Sequence, residues 1–374
     1  MKILFICGSA EPGKDGVGDY TRRLSGELLR QGHLCVIVSI MDNGVNSILE
    51  EIQEIDLTSV SVLRMPFYKG YQLNCLQAKP WIEDFNPDWI SIQYVPFSFH
   101  PKGLPFGFGK TLKQLTKGRK VHLMFHELWV GMEKESSIKT ILWGFLQKII
   151  LKRMCKLLGP CQVHTQTIFY QLLLKKHKIV TNILPLFSNI PCKPDKSFFE
   201  DRLKNLERNE IHFILFGTLH SCDNIELFLN TVNSYQEKSS KLAVIKAVGR
   251  NGIEVNRWKE FCEKLGIKFE ISGELDSQVI ANILASSNIG ITTTALPMIQ
   301  KSGTVASMCE FGIPIICINH QWKPREIDYK SIPYGINVFQ ERIIDICLSS
   351  NGNSDLFPGL YNVANIFITS LKSF

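Results

Sequence analysis

Residues 301–316 combine residue types that suit the binding of a diphosphate. Lys301 is a cation, and the small residues after it begin a helical pattern that ends in Gly-Ile-Pro before an apolar run. The first N–H groups of a helix have no partner within the helix, and the helix dipole favours an anion there. The sequence therefore predicts an anion site in which Lys301 neutralises charge. The residues predicted to bind the anion are Ser302, Gly303, Thr304 and Ser307.

A second candidate site is the glycine-rich loop of residues 8–20, which follows an apolar run at the start of the chain. Three phosphate-binding motifs compete for it. A P-loop NTPase would need Ser or Thr directly after Lys14, where Asp15 stands. A dinucleotide-binding fingerprint would need a third glycine, and Thr21 occupies that position.

The third interpretation is a long glycine loop that closes over a ligand and ends at a helix. Gly16 and Gly18 would let backbone N–H groups approach a phosphate or a sugar hydroxyl. Asp19 is the predicted N-cap of the helix, and Gly32 is predicted to follow its end. A structural turn with no ligand is the alternative.

Polar side chains also follow two apolar runs in the first half of the chain. His126 and Glu127 come after residues 121–125, and Tyr94 ends residues 89–94. Open α/β sheets bind ligands at the carboxyl ends of their parallel strands. We therefore predict that His126 and Glu127 face a ligand-binding cleft and have a functional role, with Tyr94 lining the same cleft. A surface hydrogen-bonding pair is the alternative for His126 and Glu127.

These residues must be positioned by two series of alternating strand and helix patterns. The predicted strands are residues 2–8, 34–40, 60–65, 89–94, 121–126, 211–217, 242–249, 268–272, 289–293 and 313–318. The helices predicted in the second series are residues 223–236, 254–265, 276–287 and 303–311. Between the series, residues 184–196 contain three prolines and indicate a hinge. This alternation predicts an α/β protein with two Rossmann-like domains that face each other across a cleft.

Positive charge is concentrated in the first half of the chain. Residues 1–190 carry 23 Lys and Arg against 15 Asp and Glu, whereas the remainder carries 19 against 20. Residues 138–158 combine apolar residues at helical spacing with lysines that recur every four residues on another face. The segment is interpreted either as a core-covering helix with a solvated basic face or as a peripheral contact with an anionic membrane. Nucleic acid is not expected, because no recognised binding motif accompanies the charge.

Composition limits the remaining function classes. Hydrophobic residues make up 45% of the chain and charged residues 21%, which is typical of a folded protein. The eleven cysteines form no Cys-x-x-Cys pair and mostly lie in apolar runs, which indicates reduced thiols and a cytoplasmic setting. No uncharged apolar stretch approaches 18 residues. No His, Cys and Asp cluster has the spacing of metal ligands, so neither a metal nor another cofactor is expected.

Two of these segments resemble a known family. Residues 16–24, Gly-Val-Gly-Asp-Tyr-Thr-Arg-Arg-Leu, resemble the N-terminal loop of nucleotide-sugar-dependent glycosyltransferases with the GT-B fold. Residues 301–316 resemble the donor-binding segment of the same enzymes. The chain is thus similar to the retaining glycogen-synthase-like enzymes of glycosyltransferase group 1, family 4, as a divergent relative.

The resemblance implies a division of labour between the domains. Residues 1–188 would bind the acceptor, residues 189–358 the nucleotide sugar, and residues 359–374 would form a helix that returns to the first domain. It also implies further site residues. Those on the donor side are Gly217 and Arg250, and those on the acceptor side are Asp19 and Tyr20.

The chain departs from the family at charged positions. The family's two glutamates correspond to Ile299 and Ser307, and its Arg and Lys after the first strand of the second domain correspond to Thr218 and Asp223. Other cations would have to balance the diphosphate. The candidates are Lys301, Arg250 and His220.

The sequence prediction is therefore a retaining hexosyltransferase of polysaccharide or glycoconjugate synthesis. It would transfer a sugar from a nucleotide sugar to a glycan or lipid-linked acceptor, with His126, Lys301 and Arg250 as catalytic residues. Two alternatives stay open: another nucleotide-sugar enzyme of this fold, such as an epimerase or a sugar-phosphate synthase, and a non-catalytic homologue that binds a nucleotide sugar or a partner.

Overall fold

The computed structural model divides the chain into two compact units. Unit 1 comprises Met1–Leu184, Lys323–Asp328 and Leu360–Phe374, and unit 2 comprises Pro185–Trp322 and Tyr329–Gly359. The structure describes residues 1–190, 196–319, 322–329, 331–333, 335–340, 342–349 and 357–374. Part of the predicted hinge, residues 191–195, lies outside the described residues.

Unit 1 is built on an eight-stranded sheet with the order β3-β4-β2-β1-β5-β6-β7-β8. Its strands are β1 (Lys2–Cys7), β2 (Leu34–Asp42), β3 (Leu49–Ile55), β4 (Thr58–Pro66), β5 (Trp89–Tyr94), β6 (Lys120–Phe125), β7 (Gln162–Thr165) and β8 (Asn182–Ile183). All neighbours pair in parallel except β3, which is antiparallel to β4. The inner strands are buried on both faces, as a parallel sheet covered by helices requires.

Unit 2 is built on a six-stranded parallel sheet with the order β11-β10-β9-β12-β13-β14. Its strands are β9 (Glu210–Phe216), β10 (Leu242–Val248), β11 (Lys268–Gly273), β12 (Ile289–Thr292), β13 (Ile315–Cys317) and β14 (Ile336–Val338). The strand order reverses at β9: the chain runs outward through β10 and β11 on one side of it, and through β12, β13 and β14 on the other. In a doubly wound sheet the loops that follow such neighbouring strands bind ligands.

Helices connect the strands of both sheets. Those of unit 1 are α1 (Gly16–Arg30), α2 (Gly70–Phe85), α3 (Pro96–Phe99), α4 (Phe108–Leu115), α5 (Ile138–Leu158), α6 (Ile168–Lys176) and α13 (Gly359–Lys372). Those of unit 2 are α7 (Lys196–Glu207), α8 (Ile225–Ser239), α9 (Glu254–Leu265), α10 (Ser277–Ser286), α11 (Gly303–Glu310) and α12 (Ile343–Ser349). A 3₁₀ turn, Leu296–Lys301, directly precedes α11.

Helix α1 begins earlier than the sequence pattern predicts. Asp15 is its N-cap: its backbone is extended, and its Oδ1 accepts a hydrogen bond from the Gly18 N–H at 2.6 Å. Asp19, the predicted N-cap, lies instead in the first turn of the helix. There its Oδ1 accepts hydrogen bonds from the Gly13 N–H and from Arg22, each at 3.0 Å. A carboxylate is also favourable at this position, because it faces the positive end of the helix dipole.

The terminal helix α13 belongs to unit 1, together with the short segment Lys323–Asp328. The ring of Phe367, on α13, lies 6.0 Å from that of Phe5 on β1 and 4.9 Å from that of His122 on β6. The segment Lys323–Asp328 is bonded to unit 1 through the backbone, since Lys134 donates to the Lys323 carbonyl at 2.8 Å. Unit 2 is therefore not the single continuous range 189–358 of the sequence prediction.

Candidate functional site

In unit 2, the loops after β9 and β10 are tied together by one buried amide. Asn251 donates to the Gly217 carbonyl at 2.9 Å and to the Val248 carbonyl at 3.2 Å. Leu219 donates in return to the Asn251 carbonyl at 3.2 Å. Sequence reasoning missed Asn251. Its only signal was its place, two residues after Gly249 at the end of a predicted strand.

The loop after β12 joins this group. Thr293 Oγ1 accepts a hydrogen bond from the backbone N–H of His220 at 2.8 Å, and Asn319 donates to the Thr293 carbonyl. The loops that follow β9, β10, β12 and β13 are thus held in one assembly at the carboxyl edge of the sheet. This is the edge at which α/β sheets bind ligands.

The start of α11 packs against the same edge. A Cβ atom at Gly217 would lie 2.5 Å from Thr304 Cγ2, so any other residue here would require Thr304 to shift. Gly217 also has a φ of +78°, which disfavours other residues. Gly217 thus lets the β9 loop and the α11 N-terminus meet, and its predicted contact with the donor stays a prediction.

The first residues of α11 differ in what their side chains contact. Ser302 is the N-cap, with its Oγ 3.4 Å from the Val305 N–H and 3.1 Å from Thr304 Oγ1. The Cβ position of Gly303 has no atom closer than 3.7 Å. Lys301 ends the 3₁₀ turn and is half-buried. A cation, a glycine and a capped helix N-terminus therefore adjoin one another, as an anion site requires.

Two predicted donor residues have other surroundings. Ser307 is buried, its Oγ donates to the Gly303 carbonyl at 2.9 Å, and it lies 2.8 Å from Ser188 Oγ. Its hydroxyl therefore anchors the segment after β8 to α11 rather than facing an open surface. Arg250 is exposed and forms an ion pair with Glu274 at 3.2 Å. That pair would have to rearrange before Arg250 could bind a diphosphate.

In unit 1, His126 lies at the carboxyl end of β6 and is 5% exposed. Its Nε2 is 2.8 Å from Gln93 Oε1, and its backbone N–H donates to the Tyr94 carbonyl at 3.1 Å. The ring of Tyr20, from the first turn of α1, meets the His126 ring edge to face, with centroids 5.0 Å apart. The structure thus brings together His126 and Tyr20, which come from separate motifs. Tyr20 is only 1% exposed, so it packs against the His126 ring and does not line an acceptor surface as predicted.

Glu127 and Tyr94 differ in their surroundings: Glu127 lines a cavity, whereas Tyr94 lies in the core. Glu127 lines a cavity of about 190 Å³ whose walls are mainly apolar, with Phe97, Trp129 and Tyr170 among them. Tyr94 is fully buried, and its ring stacks on those of Phe99 and Phe108. The structure therefore corrects the prediction for Tyr94, which is a core residue and lines no surface. Aromatic packing against α3 and α4 outweighs its position at a strand end.

The two glycines of the N-terminal loop have separate environments. A Cβ atom at Gly18 would lie 2.5 Å from the Ser9 carbonyl oxygen, so this glycine lets α1 pack closely against the loop after β1. Gly18 is buried and its role is structural, contrary to the predicted ligand contact. Gly16 is exposed, and no atom lies within 4 Å of its Cβ position. Of the two, Gly16 is the glycine that leaves room for a ligand.

A buried ion pair supports this loop and was not foreseen from the sequence. Arg64 binds Asp42 with two hydrogen bonds of 2.9 Å, and Asp42 also accepts from the Ala10 N–H at 3.0 Å. Burial would raise the pKa of Asp42, but the hydrogen bonds from Arg64, Ala10 and Gly44 outweigh it, and the pKa is lowered. The carboxylate thus stays charged and fixes the loop after β1.

Helix α5 exposes an apolar stripe. Side chains at helical spacing on its first three turns are between 41% and 77% exposed: Ile138, Leu142, Phe145, Leu146 and Ile149. Lys152, Arg153 and Lys156 continue the exposed face toward its C-terminal end. Helix α5 also covers part of the core through a narrow buried face that includes Gly144, Gln147, Ile150 and Met154. Its exposed face is therefore both apolar and basic.

The basic end of α5 borders a second cavity of unit 1, of about 610 Å³. Lys152, Arg153, Lys156 and Lys178 line it together with apolar side chains. Within the described part of the chain, no group of three or more His, Cys, Asp or Glu could hold a metal ion. No helix among the described residues is long and apolar enough to cross a membrane.

No protein-family model matches the chain, and no curated protein matches its sequence. Solved structures match over its full length. Sucrose-phosphate synthase from Thermosynechococcus elongatus is 13% identical with a TM-score of 0.63, covering 100% of this chain and 97% of its own. Anabaena HepE in complex with UDP and glucose is 13% identical with a TM-score of 0.60, covering 100% of both chains.

A third match is the catalytic domain of starch synthase IV from Arabidopsis thaliana, bound to ADP and acarbose. It is 12% identical with a TM-score of 0.56, covering 100% of this chain and 98% of its own. These structures share the GT-B fold, which is thus the fold of this chain. The fold class predicted from the sequence is confirmed.

Proposed function

We propose that the protein is a glycosyltransferase that transfers a sugar from a nucleotide-sugar donor to a hydroxyl group. The observation that carries this proposal is the assembly at the carboxyl edge of the unit 2 sheet. There Gly217 admits the start of α11, and Lys301 adjoins a capped helix N-terminus. Two of the matched structures contain nucleoside diphosphates, UDP in HepE and ADP in starch synthase IV.

The main catalytic requirement of this reaction is stabilisation of the leaving diphosphate. When the bond between the sugar and the diphosphate breaks, negative charge grows on the diphosphate oxygen. Preorganised donors and cations at that position lower the barrier. In our proposal Lys301 and the first N–H groups of α11 meet this charge, with Ser302, Gly303 and Thr304 around it. Arg250 adds a second cation once it leaves Glu274. Basic residues and helix ends do this without a metal ion.

The residues of unit 1 serve the acceptor side in this proposal. His126 lies near the transferred sugar, with Tyr20 packed on its ring. Gly16 approaches the ligand, and Glu127 faces an acceptor through its mainly apolar cavity. Asp19 acts indirectly, since it holds Gly13. Retention of the anomeric configuration, a hexosyl group, and a role in surface polysaccharide or glycoconjugate synthesis form the finer part of the proposal.

Thermal unfolding against a panel of nucleoside diphosphates and nucleotide sugars tests the donor site. A ligand at a hundred times its Kd stabilises the folded state by about 2.7 kcal/mol. We expect one nucleotide to raise the Tm, and Lys301→Ala to reduce that rise strongly. Lys259→Ala is the matched control, because Lys259 is an exposed α9 lysine paired with Glu263. Absence of a shift with every nucleotide would count against the whole proposal.

Product analysis then separates transfer from the alternatives. An epimerised nucleotide sugar formed without an acceptor would indicate an epimerase, and a sugar phosphate product would indicate a synthase. A nucleotide that binds without any turnover would indicate a non-catalytic homologue. The anomeric configuration of a transferred sugar, read by NMR, decides between retention and inversion.

We further propose that the acceptor is presented at a membrane surface, as a lipid-linked molecule. The exposed apolar side chains on the first turns of α5 match the acyl-chain boundary of a bilayer, and the exposed cations that follow them match its anionic headgroups. The cavity bordered by Lys152, Arg153 and Lys156 suits an anionic headgroup with an apolar attachment. The protein would then act as a peripheral protein of the cytoplasmic membrane face.

Vesicle sedimentation tests this contact. We expect binding to vesicles that contain phosphatidylglycerol, weaker binding to neutral phosphatidylcholine vesicles, and loss of binding in the double variant Leu142→Asp with Phe145→Asp. Leu57→Asp is the control, because Leu57 is fully exposed in the turn between β3 and β4. Equal sedimentation of the double variant and the control would contradict a role for α5.

A further inference from the structure

A chain of hydrogen bonds runs from His126 across three strands of the unit 1 sheet. His126 Nε2 is 2.8 Å from Gln93 Oε1, and Gln93 Nε2 donates to Ser91 Oγ at 2.7 Å. Ser91 Oγ is 2.7 Å from His122 Nδ1, and His122 Nε2 is 3.0 Å from His164 Nδ1. Every member is at most 5% exposed. We name these five residues the histidine relay.

The relay has a single polarity, because each member fixes the next. The Gln93 amide donates to Ser91, so its oxygen must accept from His126, which carries its proton on Nε2. In this polarity Ser91 accepts from Gln93 and donates its own proton to His122 Nδ1. His122 then carries its proton on Nε2 and donates to His164 Nδ1. Reversing one bond would require reversing all of them.

The surroundings of the inner members favour this neutral arrangement. Burial lowers the pKa of His122 well below its usual value, and the neighbouring His164 and His126 add to the effect. Burial likewise lowers the pKa of His164 to about 4. The apolar ring of Phe367, on α13, packs against the His122 ring, with centroids 4.9 Å apart. Both inner histidines therefore act as neutral links, each with one donor and one acceptor nitrogen.

We propose that Gln93 is a positioning residue that fixes the Nε2–H tautomer and the ring orientation of His126, with the rest of the relay holding Gln93 in place. This inference rests on the proposed function for its catalytic meaning. Tyr20, packed edge to face on the His126 ring, limits its rotation. Sequence reasoning missed Gln93, although it lies one residue before Tyr94.

Long-range ¹H–¹⁵N NMR of the imidazole nitrogens reads the tautomers in the full chain. His126→Gln, His122→Gln and His164→Gln assign the signals. We expect an Nε2–H signature for all three histidines in the unaltered protein. An Nδ1–H signature for His126 there would overturn the proposal. The readout needs no turnover, so failure of the transferase proposal and failure of the relay are distinguishable.

Two substitutions of Gln93 probe the mechanism further. Gln93→Leu removes the acceptor, and we expect His126 to populate both tautomers and kcat to fall by up to about a hundredfold, the cost of a misplaced catalytic group. Gln93→Glu keeps an acceptor for His126 but cannot donate to Ser91. It should preserve the His126 tautomer and keep most of kcat. It should also reverse both His122 and His164 to Nδ1–H, since Ser91 would donate to the carboxylate and accept from His122, whose Nε2 would then accept from His164.

Gln147→Leu removes a buried α5 glutamine outside the relay and should leave all three signatures unchanged. If Gln93→Leu does not fold, Ser91→Ala interrupts the relay at the next bond with a smaller change. Ser91→Ala should also let His126 populate both tautomers, as expected for Gln93→Leu. An unchanged Nε2–H signature in the Gln93→Leu or the Ser91→Ala variant would refute the positioning role.

Discussion

The buried pair of Asp42 and Arg64 offers a quantitative test of how unit 1 holds its N-terminal loop. Asp42→Asn keeps the shape of the side chain but leaves the charge of Arg64, which is 7% exposed, without its main partner. Removing one member of a buried pair costs about 3–5 kcal/mol. Arg64 retains a contact with Glu51 at 3.4 Å, so we expect a loss near the lower end of this range, about 3 kcal/mol.

The pH dependence has a definite sign. The pKa of Asp42 is lowered in the folded state, so its stabilisation is fully present above the unfolded value of about 3.9 and is lost as the pH falls through the folded value. The stability difference between the unaltered protein and Asp42→Asn should therefore be largest near pH 7. It should shrink below about pH 4.

Urea unfolding followed by tryptophan fluorescence measures the loss, and amide hydrogen exchange of Ala10 locates it. The double variant Asp42→Asn with Arg64→Met should be less destabilised than Asp42→Asn alone, because no unpaired charge remains. The reasoning would be refuted if Asp42→Asn cost less than about 1 kcal/mol at pH 7, or if the difference persisted unchanged at pH 3.

Three further outcomes follow from the structure. Gly217→Ala should weaken the stabilisation by nucleotide, because the new Cβ would meet Thr304. Gly252 has a similar φ of +74° and no atom within 4 Å of its Cβ position, so Gly252→Ala should leave that stabilisation largely intact. Thermal shift assays with nucleotide compare the two variants. Iodoacetamide at pH 8 should alkylate the described cysteines slowly in the folded protein and quickly in the unfolded protein, because burial raises their pKa values. Among them Cys161 should react first, since it is only half-buried and its pKa of about 11 is below the value of about 12 for the other half-buried cysteine, Cys155. The free energy of unfolding should fall as the pH drops from about 6.5 toward 4, because His164 is protonated in the unfolded chain but not in the folded chain, where its pKa is about 4. His164→Gln should flatten this pH dependence in urea titrations. An unchanged slope would contradict the burial of the His164 ring.

Local pattern was enough to predict the architecture of the chain. Buried parallel strands are short continuous apolar runs, and helices carry their own start and stop residues, so β1, β9 and α9 were predicted within about one residue of their bounds. The start of α11 was recognisable for the same reason: a cation, a capping serine and a glycine are neighbours in sequence. Their chemistry does not depend on a distant partner.

Other features were decided by contacts between residues far apart in sequence. Strand β3 has no marked apolar run and forms because it pairs with β4, and Tyr94 is buried because α3 and α4 cover it. The narrow buried face of α5 could not be read from its spacing, since apolar residues lie on its exposed face as well as on its buried face. The pairing of Asp42 with Arg64 and the alignment of Gln93, Ser91, His122 and His164 required the sheet order itself. A sequence fixes which groups are present, but burial and hydrogen-bond partners depend on which strands and helices become neighbours.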